Sequence, residues 1–90
     1  MAIARVFECK GWTSGQYDEL IARGFGGRSG SGVLFHWATG TDDGMRAIDV
    51  YESREAADAL ARDQIGPLAQ QLGLPMPEIT EYDVHNYLTP

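Results

Sequence analysis

The side chains able to move a proton near neutral pH are few. His36 and His85 are the only histidines, and each falls in a β-rich run. An imidazole titrates near neutrality, which makes it the natural proton shuttle at physiological pH. Asp49 interrupts the otherwise apolar run Ala47-Ile-Asp-Val-Tyr51, and a carboxylate buried there needs a partner. Set beside an imidazole, it would fix the ring's tautomer and favour its charged form. Whether His36 and Asp49 meet depends on hairpin register. If Ala38 pairs with Ala47 or with Asp49 they share a face; a slip of one residue points them apart. His85 and Asn86 are adjacent, so in a strand they point to opposite faces, and His85 is favoured to face a pocket.

Aromatic side chains could supply the walls of such a pocket. Trp12, Tyr17, Trp37 and Tyr51 are the candidates to bind a flat apolar ligand, with Tyr17 best placed to reach into it. Other chemistries lack a pattern. Cys9, His36, His85 and Asp49 have no metal-ligand spacing, and neither HExxH nor a CxxC pair occurs. The glycine-rich stretch from Gly24 to Gly32 lacks G-x-G-x-x-G and follows a helix instead of opening one, and Lys10 has no phosphate-loop glycines before it.

These residues must be positioned by a small domain. Ala2 to Lys10 reads as a strand. Thr13-Ser-Gly-Gln16 is a capping box, followed by Tyr17, Leu20, Ile21 and Phe25 at helical spacing. Gly24, Gly26 and Gly27 end that helix, and Arg28-Ser-Gly-Ser-Gly32 forms a joint. Val33 to Thr39 and Met45 to Glu52 are two strands of a hairpin turning through Gly40-Thr-Asp-Asp-Gly44. Ser53 caps a second helix with Ala56, Ala57, Leu60, Ala61 and Ile65 inward. Gly66-Pro67 interrupts it before a short further helix to Gly73. Pro75 and Pro77 lead into a last strand, Glu78 to Leu88. The order βαββαβ predicts one ferredoxin-like α+β domain over residues 1–90, a four-stranded antiparallel sheet with its helices on one face.

Alternation along the second strand puts Val33, Phe35 and Trp37 on one side and Leu34, His36 and Ala38 on the other, so both faces are largely apolar. Two helices cover one face only. A second copy of the chain is the simplest cover for the other, so a homodimer is expected.

Composition narrows the partners. The 90 residues carry seven Lys+Arg against thirteen Asp+Glu, a formal charge of −6, with no basic stripe for nucleic acid or an anionic membrane. No apolar run approaches the ~20 residues of a membrane helix. Arg5 and Glu8 interrupt any signal-peptide core, so a cytoplasmic location is expected. Cys9 is the single cysteine and cannot form an internal disulfide.

Three local patterns carry a resemblance: Thr13-x-x-Gln16-Tyr17-Asp18-x-Leu20, the junction Asp49-Val-Tyr-Glu-Ser53 with Arg54-Glu-Ala56, and the closing Val84-His-Asn-Tyr-Leu88. With the element order they resemble the dimeric α/β-barrel superfamily, and within it the antibiotic-biosynthesis-monooxygenase-like proteins. Tyr51 stands where a Trp is common in that family. Haem-degrading relatives draw an iron-binding His from the helix after the junction, and Arg54 to Leu72 holds none, so no haem site is carried over.

The resemblance implies a cofactor-free enzyme on an aromatic or polyketide-like small molecule. His85 or His36 would be its base, Asp49 the orienting group, and Tyr17 or Asn86 the anion stabiliser. The carbanion left when that base removes a proton from an acidic substrate can pass an electron to O2 without a metal. The same parts could run isomerisation, dehydration or cyclisation. The alternative is a non-catalytic ligand-binding or accessory homodimer.

Overall fold

The computed structural model describes residues 1–25 and 32–88. The expected end of the first helix at Gly26-Gly27 and the joint from Arg28 to Ser31 lie outside the described residues. Four strands, β1 (Ile3–Lys10), β2 (Val33–Thr41), β3 (Gly44–Tyr51) and β4 (Glu78–Asp83), form one antiparallel sheet in the order β2-β3-β1-β4. Helix α1 (Ser14–Phe25) follows β1. The connection from β3 to β4 carries α2 (Arg54–Leu60), a π-helical segment (Ala61–Ile65) and α3 (Gly66–Gln71). This is the ferredoxin-like βαββαβ arrangement that the sequence predicts.

Local chemistry accounts for the helix starts. The Thr13 hydroxyl accepts the Gln16 amide N–H at 3.1 Å, and the Gln16 side chain accepts the Thr13 N–H at 2.9 Å, closing the capping box. The Ser53 hydroxyl accepts the Ala56 N–H at 3.1 Å and caps α2. The expected break at Gly66-Pro67 is instead a continuation. The Gly66 N–H bonds back five residues to the Ala61 carbonyl, and the wider turn takes in Pro67, which offers no N–H and would crowd an α-helical carbonyl.

Beyond shifts of a residue or two at strand ends, β2 and β4 depart from expectation. β2 has a bulge at Leu34: Val33 is opposite Tyr51, and Phe35 is opposite Val50. The extra residue reverses the parity on one side of it. Val33 therefore packs with the helices, against Ile3, Tyr51, Ala57 and Leu60, while Phe35 and Trp37 face away from them. The last strand stops at Asp83 instead of Leu88. Its register partner Ile3 is the first residue of β1, and only the bond from the Val84 N–H to the Ala2 carbonyl (3.1 Å) continues the ladder.

The helix-covered core falls into two clusters. One is Ile3, Tyr51, Ala57 and Leu60; the other is Cys9, Trp12, Leu20 and Met45. Ile65 packs against both. Between them runs a polar row that crosses all four strands on the same face: Glu81, Arg5, Asp49 and His36 are successive register partners.

Candidate functional site

His36 and Asp49 are directly opposite each other in the β2–β3 ladder, with Ala38 opposite Ala47. That is one of the two registers that put them on a common face. The helices lie over that face, and the first turn of α1 brings Tyr17 above the edge strand. Side chains there form a hydrogen-bonded chain. The Asp49 carboxylate can only accept, so the His36 Nδ1–H donates to Asp49 Oδ1. In the neutral ring Nε2 then accepts from the Tyr17 hydroxyl. The other carboxylate oxygen, Oδ2, accepts the Tyr51 O–H at 2.7 Å. The Tyr17 and His36 rings are nearly parallel, 9° apart with centroids at 6.0 Å.

This chain has a buried end and an open end. Tyr51 is 4% exposed and Asp49 is buried, whereas 28% of the His36 side chain meets solvent. Among the described residues no buried side-chain polar atom lacks a partner. Burial first, and then the Asp49 charge and hydrogen bond, push the Tyr51 hydroxyl far above the ordinary phenol range. Burial, followed by the charges of Asp49 and Asp18, pushes Tyr17 up to about 12. Both phenols therefore stand as donors at neutral pH.

The Tyr17 shift has a measurable consequence. An unfolded tyrosine ionises near 10 and Tyr17 in the fold near 12. Between those values the unfolded chain releases the proton first, so this part of the stability is whole below about 10 and is lost as pH rises through about 12. Ultraviolet titration of tyrosinate is expected to show a component near 12, ahead of the still later Tyr51, that disappears in Tyr17→Phe. An unchanged titration curve in that variant would refute the assignment.

The remaining sequence candidates are dispersed. Trp12 is buried in the second core cluster, and its Nε1–H donates to the Pro75 carbonyl at 2.9 Å, clamping the proline lead-in to β4. Trp37 lies on the face away from the helices and is 43% exposed. His85 and Asn86 lie past the end of β4 and are exposed, outside the hydrogen-bonded chain. Tyr51 belongs to the chain as a donor to Asp49. Cys9 is buried with its thiol pushed up to about 11 by burial and then by the Glu8 and Asp49 charges, which suits a packing residue and not a nucleophile. Among the described residues no group of three or more His, Cys, Asp or Glu could hold a metal ion.

Arg5 and Glu81 complete the polar row and were missed from sequence. Burial alone would lower the Arg5 pKa; hydrogen bonds to Asp58 (2.6 Å) and Glu81 (3.0 Å) more than reverse that. Glu81, also held by Arg54 at 2.7 Å, is kept below the usual carboxylate range, the Arg54 hydrogen bond contributing most. The signal was present: Arg5 has the same strand parity as the inward Ile3, Phe7 and Cys9.

No protein-family model matches the sequence, and comparison with curated proteins gives no match. Comparison with solved structures does. A provisionally assigned antibiotic biosynthesis monooxygenase from Chloroflexus aurantiacus superposes with a TM-score of 0.67 at 19% identity, covering 97% of each chain. A protein of unknown function from Nitrosomonas europaea gives 0.69 at 16% identity, over 99% of this chain and 92% of its own. SnoaB, a cofactor-independent oxygenase from Streptomyces nogalater, gives 0.61 at 18% identity, over 99% and 96%. The chain thus shares its fold, over nearly its whole length, with antibiotic-biosynthesis-monooxygenase-like proteins.

Proposed function

We propose that the protein is a small-molecule enzyme that removes a proton from an acidic aromatic or polyketide-like substrate, in the manner of a cofactor-independent monooxygenase. The observation that carries this reading is the Tyr17–His36–Asp49–Tyr51 chain. A histidine oriented by a buried carboxylate and opening toward solvent is what proton transfer needs, and general acid–base catalysis of this kind is worth about 10²–10⁴-fold. Once a substrate has lost its proton, the carbanion can give an electron to O2 and combine with the oxygen so reduced. The likeness of fold to SnoaB supports this choice by analogy alone.

Oxygen uptake with an anthrone-type phenol tests it. Uptake that matches product formation is expected. Turnover that continues unchanged without O2 would overturn the oxygenase reading and leave an isomerase, dehydratase or cyclase. Ligand binding that survives His36→Ala, with no turnover of any kind, would point to a binding protein.

The same reading includes a homodimer formed through the sheet face that the helices leave bare. Ala4, Val6, Phe35, Trp37, Ile48 and Val50 lie there, Phe35 and Trp37 standing exposed. Each large apolar side chain that becomes buried contributes roughly 1.5–3 kcal/mol. A two-fold partner offers the same apolar surface in return. Light scattering at micromolar concentration is expected to give twice the 9.9 kDa chain mass; the monomer mass would refute it.

A further inference from the structure

Both ring nitrogens of His36 are taken, Nδ1 by Asp49 and Nε2 by Tyr17. An imidazole so held has no free lone pair to offer a substrate. The Tyr17 oxygen, in contrast, makes one hydrogen bond among the described residues, to His36, and a phenol that donates keeps acceptor capacity. Tyr17 stands on α1, a separate element from the sheet that fixes the rest of the chain, and is itself only partly buried. The order of groups from the core outward is therefore Tyr51, Asp49, His36, Tyr17. It parallels the acid–base–nucleophile order of a catalytic triad, with a phenol in place of the outermost hydroxyl.

We infer that Tyr17, and not His36, is the catalytic residue that meets the substrate, acting as a phenolate base that lends its own proton to His36. This deepens the proton-abstraction reading above and rests on it. The step balances as follows. The Tyr17 O–H bond breaks, and its proton forms a bond to His36 Nε2, leaving phenolate and imidazolium. The phenolate oxygen then takes the acidic C–H or O–H proton of the substrate, and the bonding pair stays on the substrate as the anion. The net result is a substrate proton held on His36, with Tyr17 again a phenol. Asp49 accepts from Nδ1–H throughout and stabilises the imidazolium, while Tyr51 holds the carboxylate's other oxygen.

The partnership is required by the energetics of the phenol. With Tyr17 pushed up to about 12, an unaided side chain would be ionised in only about one molecule in 10⁵ at neutral pH. An adjacent acceptor removes the need for free phenolate, because the proton moves along an existing hydrogen bond and the resulting charges lie side by side.

Two measurements test the inference, one of them independent of turnover. Nitration by tetranitromethane, which attacks phenolates, is followed by peptide mapping, with the exposed Tyr82 and Tyr87 as internal controls. At neutral pH Tyr17 is expected to react at least ~10-fold faster in the wild type than in His36→Gln, the controls staying equal. Equal rates at Tyr17 in the two proteins would overturn the inference whether or not a substrate is known. With an anthrone-type phenol, Tyr17→Phe is expected to lose about as much kcat as His36→Gln, on the order of 10² or more, and the double variant no more than either. If Tyr17→Phe keeps or gains activity while His36→Gln loses it, His36 is the direct base and the inference fails. If neither protein turns over but nitration still depends on His36, the relay stands and the oxygenase reading falls.

Discussion

Asp49→Ala is expected to cost about 2–4 kcal/mol of folding stability, out of roughly 5–13 kcal/mol for a chain of this length. The cost has two sources. The Tyr51 hydroxyl, within a residue only 4% exposed, loses its acceptor and is left buried without a partner, worth about 1–3 kcal/mol. The His36 Nδ1–H loses a charge-assisted bond, although 28% solvent exposure lets water replace part of it. At roughly 4–8 °C per kcal/mol, the melting temperature should fall by roughly 8–32 °C. Asp49→Asn should fall less, because the amide oxygen can still accept from Tyr51. Chemical denaturation of both variants decides the matter. If Asp49→Ala lies within about 0.5 kcal/mol of wild type, the carboxylate does not anchor this part of the fold.

Gly44→Ala is the second large effect, about 3 kcal/mol or more. A Cβ at Gly44 would run far inside contact distance of the Cys9 carbonyl oxygen and reach 2.9 Å from the Gly11 nitrogen. Both are backbone atoms of the tight corner where β1 ends, tied by the Gly11 N–H to the Asp43 carbonyl at 2.7 Å, so neither can turn aside. Overpacking commonly costs 1–3 kcal/mol even where side chains give way. Gly40→Ala, four residues back in the same hairpin, is the control. A Cβ there would have nothing within 4 Å, and less than ~0.5 kcal/mol is expected. Urea midpoints of the pair measure the contrast, and equal midpoints would refute it. Because Gly44 closes the hairpin, its loss should also misalign His36 and Asp49, which lie eight and five residues from it.

What the sequence revealed divides along the range of the interactions. The Thr13–Gln16 box and the Ser53 cap each span four residues, and both were legible. The β2–β3 register was not, because it is set by a turn through Asp42 and Asp43 that pairs Thr41 with Gly44, inside a Gly40–Gly44 stretch that allows more than one turn. Once that register is known, the juxtaposition of His36 and Asp49 follows. His85 shows the opposite case. Val84 to Leu88 has the composition of a strand, yet β4 is an edge strand whose single neighbour starts its pairing at Ile3. Composition cannot report a missing neighbour. Tyr17 was legible as a helix residue of interest, but not its bond to His36, which joins residues 19 apart through tertiary packing.

The π-helical segment has a bearing on the whole layer above the sheet. It takes one extra residue into a widened turn between α2 and α3, cancelling an offset of about 100° that ordinary winding would give the residues after it. Ala57 and Leu60, before it, face the Ile3–Tyr51 cluster; Leu68, Ala69 and Leu72, after it, face the Cys9–Met45 cluster. The segment thus corrects the phase of one continuous helix so that both of its lengths face the sheet. Deleting a single residue between Ala61 and Ile65 would restore ordinary winding and leave both halves facing the sheet. The extra residue lets one helix roof two dry compartments and pass above the wet strip that separates them.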